Sequence, residues 1–94
     1  MTYRVEFGPD ARKELASLHP KARAAVMAEL ECLAQDPRPR GAVPLRGRLS
    51  GLHRIRIGER RVAYHIDDSD RVVTVVAVDS RGGFYEGLTR DKTR

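Results

Sequence analysis

Two stretches of the chain, residues 3–7 and 53–57, alternate apolar and polar residues with a period of two, which is typical of half-buried β-strands. A third stretch, residues 60–66, runs back along the second after a turn. A fourth stretch, residues 71–78, is apolar at nearly every position and predicts a strand covered on both faces, in the middle of the sheet. Gly58-Glu59 suits a two-residue type II′ turn with glycine first, so the second and third stretches should form a hairpin.

Apolar residues recur at helical spacing between the first and second of these strands. Proline loses no needed N–H at the first helical position, so Pro9 predicts the start of one helix and Pro20 the start of a second, which ends at Gln35. The apolar stripe of the second helix consists of Ala22, Val26, Leu30, Leu33 and Ala34. The order βααβββ therefore predicts an α+β fold in which a helical hairpin packs on one face of a small twisted antiparallel sheet.

The remaining segments carry no periodicity. Residues 36–50 contain prolines that remove backbone donors and glycines that favour turns, which predicts an irregular basic loop. A length of 94 residues allows one hydrophobic core, so we expect a single domain over residues 1–94. Its last part, residues 86–94, is polar and is predicted to fray.

Composition excludes several classes of protein. No apolar run approaches the roughly 18 residues of a membrane span, and the N-terminal residues are charged where a signal peptide is apolar, so we expect a cytoplasmic protein without a membrane partner. The single cysteine, Cys32, cannot form an internal disulfide. No cysteine and histidine pair has the spacing of zinc ligands, so we expect neither a metal nor another cofactor.

Arginine is concentrated in the middle of the chain. Residues 38–61 hold eight arginines and one acid, Glu59, which gives this segment a charge of +7 in a chain of net charge +5. Fifteen of the eighteen basic residues are arginine, whose planar guanidinium matches phosphate oxygens and stacks on bases. This favours a polyanionic partner. The alternative is a basic surface that serves solubility or reflects an arginine-rich coding bias.

The hairpin turn also predicts which side chains share a face of the sheet. It pairs Arg56 with Arg61, and alternation along the strands then directs Ile55, Ile57, Val62, Tyr64 and Ile66 toward the helices. The opposite face receives Arg54, Arg56, Arg61 and His65. Like charges directly opposite each other are destabilising, so this pairing indicates a site that binds an anion. The alternative is that Glu59 or a later acid pairs with one arginine and solvent covers the others.

Several short motifs arrive in the same order as this pattern. They lie at residues 33–39 (LAQDPRP), 45–47 (LRG), 51–58 (GLHRIRIG), 60–64 (RRVAY) and 81–85 (RGGFY). Together with the order βααβββ they resemble the RelE/ParE superfamily of type II toxins, and the resemblance covers residues 3–85. It implies the RelE-like microbial ribonuclease fold and a small cytoplasmic toxin that a cognate antitoxin protein keeps harmless.

The resemblance implies one of two targets. The RelE branch cuts messenger RNA in the ribosomal A site, where the ribose 2′-OH attacks the adjacent phosphate and leaves a 2′,3′-cyclic phosphate. The ParE branch poisons DNA gyrase and performs no nuclease chemistry. We favour the RelE branch because this chain has arginines at every sheet and post-strand position of that branch's site, together with Tyr85. The alternatives are the ParE-like gyrase inhibitor and a non-catalytic module that binds an acidic partner protein.

Site residues follow from the same resemblance, position by position. Arg54 and Arg56 match the basic pair of the second predicted strand, and Arg61 matches the phosphate-binding arginine of the third. Arg81 matches the arginine that stabilises or protonates the leaving 5′ oxygen, and Tyr85 the tyrosine that orients the nucleotide, although Tyr85 could instead close the edge of the core. We expect catalytic roles for Arg56, Arg61, Arg81 and Tyr85. Phosphate binding is expected for Arg54, Arg46, Arg48 and His65.

The general base is the point at which this chain departs from the family pattern. RelE enzymes commonly place lysine on the second predicted strand, and a lysine crowded by cations can lose its proton near neutral pH. Arginine stays charged, so Arg56 is expected to stabilise charge and not to accept a proton. His65, Asp79 or the ribosome would then remove the 2′-OH proton. An antitoxin segment of acidic or mixed charge is expected to cover the arginine face.

Overall fold

The computed structural model describes residues 2–79 of the chain. Its elements in chain order are β1 Arg4–Phe7, α1 Pro9–Ala16, α2 Pro20–Gln35, β2 Val43–Pro44, a 3-10 helix Gly47–Leu49, β3 Leu52–Ile57, β4 Arg60–Asp67 and β5 Val72–Asp79. Arg81, Tyr85 and the tail 86–94 lie outside the described residues. The fold is α+β, as the sequence predicts, with both helices on one face of a five-stranded sheet.

Strand direction differs from the prediction in one place. The sheet has the order β1-β5-β4-β3-β2, and β1 pairs with β5 in parallel, with Phe7 opposite Val75. The sheet is therefore mixed and not wholly antiparallel as predicted. The two helices carry the chain back from the end of β1, so a crossover can join strands of the same direction. The alternation of apolar residues gives the faces of a strand but not its direction.

The predicted position of the last strand is nearly correct. β5 is an interior strand between β1 and β4, which explains why it is apolar on both faces. The middle strand of the sheet is β4, because the two-residue strand β2 extends the far edge beside β3. Val43 pairs there with Arg54, and Pro44 with His53. Residues 36–50 are thus not irregular throughout; Pro44, which lacks an N–H, is tolerated because β2 is an edge strand.

Both helices begin and end where local chemistry requires. Pro9 and Pro20 stand at the first helical positions of α1 and α2. The His19 side chain caps α2 by accepting a hydrogen bond from the Lys21 backbone N–H at 3.2 Å. α2 ends at Gln35 because Pro37 follows the next residue and disfavours a helical conformation there. No helix within residues 2–79 is long and apolar enough to cross a membrane.

Two apolar clusters hold the fold together. The main core lies between the helices and the sheet, and its fully buried members include Val26, Leu30 and Leu33 of α2 with Val62 and Tyr64 of β4. Ile55 joins it, and Ile57 and Ile66 pack against it, as the predicted faces require. A smaller cluster forms around Leu49, Ala63 and Ala77. Ala63 lies between Val62 and Tyr64 in β4, so this second cluster is on the face opposite the helices.

Candidate nucleic-acid interface

The β3–β4 hairpin has the predicted register. Ile57 pairs with Arg60, Arg56 with Arg61 and Arg54 with Ala63. Gly58 has φ +65°, a left-handed conformation that suits the first position of a type II′ turn and favours glycine. This two-residue turn fixes the register of the whole hairpin.

Three arginines and a histidine share the face that the helices leave open. Arg54 is directly opposite Ala63, which belongs to the second apolar cluster, so it lies on that face. Arg56 lies two residues from Arg54 along β3, and Arg61 and His65 lie two residues to either side of Ala63 along β4. We call Arg54, Arg56, Arg61 and His65 the arginine face. The prediction that these four side chains share a face is confirmed.

The arginine face forms no ion pair within residues 2–78. The ion pairs of this part of the chain join Arg4 to Glu6 and Arg38 to Asp68. Glu59, the acid expected as an alternative partner, forms no ion pair with the arginine face in the same part of the chain. In the ladder, Asp79 of β5 pairs with Arg61. Arg56 and Arg61 thus place two positive charges directly opposite each other, and neither forms an ion pair with a carboxylate of residues 2–78.

One hydrogen-bond donor of the arginine face, the Nε–H of Arg54, is unsatisfied among the described residues. This Nε–H is buried and has no hydrogen-bond partner among residues 2–78. A buried donor without an acceptor costs roughly 1–3 kcal/mol, and such groups are rare in folded proteins unless a site requires them. A phosphate oxygen is an acceptor that would satisfy it, and a charged donor makes the stronger kind of hydrogen bond. The remaining members differ in exposure, since Arg61 is partly buried whereas Arg56 and His65 are exposed.

The predicted phosphate-binding residues of the loop are exposed and close to this face in the fold. Arg46 precedes the 3-10 helix and Arg48 lies within it. Leu49, next to Arg48, is only 8% exposed and packs in the second apolar cluster with Ala63 and Ala77. The arginine-rich loop is therefore attached to the same side of the sheet as Arg54 and Arg61.

The packing of this loop on the sheet through Leu49 was not predicted from the sequence. A signal existed: Leu45 and Leu49 are large apolar residues in the loop, and Ala63 is a small apolar residue on the face of its strand that was predicted to carry arginines. The alanines of the second apolar cluster leave room for the leucines, and Leu45, Leu52 and Val76 pack against the cluster.

A second group of contacts, also not predicted, holds the start of the loop. The Arg38 guanidinium donates two hydrogen bonds to the Asp68 carboxylate, at 3.2 and 2.9 Å. The Tyr3 hydroxyl donates to the same carboxylate at 2.6 Å. The hydrogen bonds from Arg38 and then Tyr3 hold the pKa of Asp68 at about 2, below its usual value. Next to Arg38, the carbonyl of Pro37 accepts a buried hydrogen bond from the Tyr64 hydroxyl at 2.8 Å.

His53 lies on the core side of β3 and not on the arginine face. Its ring stacks on that of Tyr64 with 5.8 Å between the ring centroids. Burial, followed by the nearby positive charge of Arg38, lowers the pKa of His53. Within residues 2–79 no group of three or more histidine, cysteine or acidic side chains is arranged to hold a metal ion.

Comparison with known proteins gives the family. A family model described as the ParE toxin of the type II toxin–antitoxin system, parDE, matches residues 5–83. Toxin RelG of Mycobacterium tuberculosis (strain ATCC 25618 / H37Rv) is 37% identical over 86 residues, which cover 90% of this chain and 98% of RelG. The chain belongs to this family of type II toxins, and the resemblance to the RelE/ParE superfamily is confirmed.

Solved structures of RelE toxins are also similar to this chain. The toxin–antitoxin complex RelBE2 of M. tuberculosis contains a chain that is 36% identical, with a TM-score of 0.78, and the match covers 86% of this chain and 100% of that one. The archaeal RelE–RelB complex of Pyrococcus horikoshii gives 31% identity and a TM-score of 0.75, covering 87% of this chain and 98% of the relative. This protein is a RelE-like toxin.

Proposed function

We propose that this toxin is a ribosome-dependent mRNA endoribonuclease that acts in the cytoplasm and inhibits translation. The observation that carries the proposal is the arginine face, on which three arginines lie without an ion pair to a carboxylate of residues 2–78 and one of them, Arg54, has a buried donor without a partner in the same range. A ribose-phosphate chain supplies both the negative charge and the acceptors that such a face lacks.

The reaction is a transesterification within one strand of RNA. The 2′ oxygen forms a bond to the adjacent phosphorus, the bond from phosphorus to the 5′ oxygen breaks, and the products are a 2′,3′-cyclic phosphate and a free 5′-OH. Negative charge accumulates on the phosphorane oxygens in the transition state. Fixed guanidinium groups stabilise that charge without reorganisation, which is commonly the largest contribution to catalysis. We assign this role to Arg61 and Arg56, with Arg54 binding a phosphate of the strand.

Proton transfer requires other groups. Arginine remains protonated at all physiological pH values, so Arg56 and Arg61 act as cations throughout. His65 is exposed on the same face, and imidazole is the side chain best suited to accept a proton near neutral pH. We propose that His65, Asp79 or a ribosomal group takes the 2′-OH proton. Arg81 would stabilise the leaving 5′ oxygen and Tyr85 would orient the nucleotide, as in the family whose motif these two residues match.

A cognate antitoxin is the proposed protein partner. The similar toxins of M. tuberculosis and P. horikoshii were solved in complexes, the second explicitly with RelB. For this chain we propose that an acidic or mixed segment of the antitoxin covers the arginine face, because such a segment removes the repulsion between Arg56 and Arg61 and blocks RNA in the same step. Affinity for the antitoxin should then fall as salt increases.

The second candidate function is inhibition of DNA gyrase. One observation favours it: the matching family model is that of the ParE toxin. In that case the arginine face would bind gyrase or its DNA and perform no chemistry. A third possibility, a non-catalytic module for an acidic protein, would leave both RNA and DNA intact.

One experiment separates these functions. The full chain is expressed alone under an inducible promoter, new 5′ ends are mapped in cellular mRNA, and plasmid supercoiling is measured in parallel. Codon-phased 5′ ends support the nuclease, relaxed or cleaved DNA supports the gyrase inhibitor, and neither effect supports the binding module.

The double variant Arg56→Gln/Arg61→Gln tests the face within that experiment. Its matched control is Arg12→Gln/Lys13→Gln, which removes the same charge from exposed positions of α1. Loss of cleavage in the first variant alone assigns the activity to the arginine face. Equal loss in both would assign it to net charge.

A further inference from the structure

The second apolar cluster lies in the middle of the arginine face. Ala63 pairs with Arg54 on one side and with Ala77 on the other, and Arg61 and His65 are its neighbours on the same face of β4. Leu49 packs on Ala63 and Ala77. A loop leucine is therefore seated among the side chains to which RNA binding is assigned, where a purely basic surface would have had solvent.

The backbone around Leu49 is arranged to deliver this side chain. The Leu45 N–H donates to the Leu52 carbonyl at 2.9 Å and closes the base of the loop. Within the loop, the Leu49 N–H donates to the Arg46 carbonyl at 3.2 Å and the Ser50 N–H to the Gly47 carbonyl at 3.1 Å, and these two bonds form the 3-10 helix. Gly47 and Gly51 flank Leu49 with φ of +65° and +99°, left-handed conformations that favour glycine. Arg46 and Arg48 are the basic residues of this turn.

We propose that Leu49 is a positioning residue for RNA binding: its seat on Ala63 and Ala77 fixes Arg46 and Arg48 beside Arg54 and Arg61, so that one RNA strand meets all four guanidinium groups. The inference rests on the proposed function and deepens it. Leu49 itself is not proposed to contact a phosphate. It acts by holding the loop in the binding conformation before the RNA arrives.

Packing of Leu49 on Ala63 and Ala77 also orders the loop before RNA binds. Gly47 and Gly51 give the loop many alternative conformations in the absence of packing contacts. If the loop became ordered only when RNA binds, the loss of conformational entropy would reduce the affinity. Burial of one leucine on the sheet orders it in advance. The size of the seat is also specific, because alanine leaves room for a leucine side chain where a larger residue on β4 or β5 would occupy the same space.

The test measures how tightly the full-length toxin binds a short single-stranded polyuridylate, by fluorescence anisotropy over a range of salt concentrations. The variants are Leu49→Ala, the double variant Arg46→Gln/Arg48→Gln, and the triple variant that combines them. Leu49→Met should retain wild-type affinity. The matched control is Leu18→Ala, which truncates a partly buried leucine that packs on the helix side of the sheet.

We expect Leu49→Ala to weaken binding on the order of tenfold. The slope of log affinity against log salt should become shallower by about 1.4, because two phosphate contacts to a single strand are lost at about 0.7 each. The triple variant should bind no more weakly than the double variant, since Leu49 acts only through Arg46 and Arg48. A merely structural role of Leu49 would not change the salt slope, and Leu18→Ala should leave it unchanged.

Two results would overturn the inference. One is a salt slope for Leu49→Ala equal to that of the wild type, and the other is a further loss of affinity in the triple variant. If Leu49→Ala fails to fold, Ala77→Val tests the seat from the other side and should reproduce the shallower slope. The proposed function fails separately, when the full chain expressed alone produces no codon-phased 5′ ends in cellular mRNA.

Discussion

Arg56 and Arg61 face each other directly across the β3–β4 ladder of this toxin. Neither forms an ion pair with a carboxylate of residues 2–78, so no acid in that range offsets their repulsion. Like charges at such a position cost some tenths of a kcal/mol, roughly 0.2–1 kcal/mol. We therefore predict that Arg56→Gln raises the free energy of unfolding by about that amount at low salt while it lowers cleavage activity. Urea unfolding at low and high salt measures the effect.

The matched control for this prediction is Arg12→Gln on the exposed surface of α1. It removes the same charge away from the pair and should change stability by less than about 0.5 kcal/mol. The stabilisation from Arg56→Gln should shrink at high salt because salt screens exposed charges. A variant that is less stable than the wild type at every salt concentration would show that Arg56 has a compensating partner.

Asp68 makes the stability of the toxin depend on pH in the acidic range. The hydrogen bonds from Arg38 and Tyr3 hold its pKa at about 2, against an ordinary value of 3.8. A carboxylate with a depressed pKa stabilises the fold above its ordinary pKa, and that contribution is lost as the pH falls from about 4 to about 2. We predict that Asp68→Asn reduces stability at neutral pH and flattens the acid limb of the stability profile. Chemical unfolding as a function of pH measures both.

Asp70→Asn is the matched control for Asp68, since it changes an exposed acid of the same turn. It should leave the acid limb as steep as in the wild type. The ion pair between Arg38 and Asp68 is about half exposed, with side-chain exposures of 51% and 56%, so its contribution should decrease with salt. An unchanged acid limb in Asp68→Asn would disprove the assignment.

Tyr64 ties the start of the arginine-rich loop to the core. Its hydroxyl donates to the Pro37 carbonyl at 2.8 Å and is fully buried. Removing the donor leaves that carbonyl unsatisfied, so Tyr64→Phe should cost roughly 1–2 kcal/mol of stability at neutral pH. Burial raises the pKa of Tyr64 to about 12, so the stability that it contributes should be lost as the pH rises from about 10 to about 12.

Comparison of wild type and Tyr64→Phe in alkaline solution isolates this residue. The difference in their free energies of unfolding should decrease over that pH range, because the tyrosine of the unfolded chain ionises from about pH 10 whereas the buried hydroxyl stays protonated up to about pH 12. A difference that stays constant as the pH rises would contradict the buried hydrogen bond.

Gly58 fixes the register on which the arginine face depends. Its φ of +65° is unfavourable for residues with a Cβ, so Gly58→Ala should destabilise the toxin by about 1–2 kcal/mol. Glu59→Ala changes the other residue of the turn, whose φ is not in that region, and should cost less than about 0.5 kcal/mol. Thermal unfolding compares the two. Equal losses would mean that the turn conformation does not set the register.

The sequence was sufficient for the part of the site that depends on local rules. A glycine-first turn of two residues determines the hairpin pairing, and strand alternation then places Arg54, Arg56 and Arg61 on one face. Proline positions likewise predicted where both helices begin. Each of these inferences uses neighbours within a few residues, where stereochemistry leaves few alternatives.

The features that were missed depend on residues far apart in the chain. The parallel pairing of β1 with β5 and the hydrogen bonds between Arg38 and Asp68, which are 30 residues apart, arise from the packing of the whole fold. Leu49 was not predicted to pack on the sheet because a leucine in a loop rich in proline and glycine has no periodicity to assign it a face. The strand Val43–Pro44 is too short for alternation to be recognised.

The cleavage rate of Arg61→Ala on ribosomes programmed with a defined mRNA tests whether the arginine face takes part in catalysis. We propose that Arg61 stabilises the phosphorane, so its loss should lower single-turnover cleavage on the order of a hundredfold, with Arg12→Ala cleaving like the wild type. Cleavage by Arg61→Ala within about threefold of the wild-type rate would contradict the assignment of transition-state stabilisation to this face.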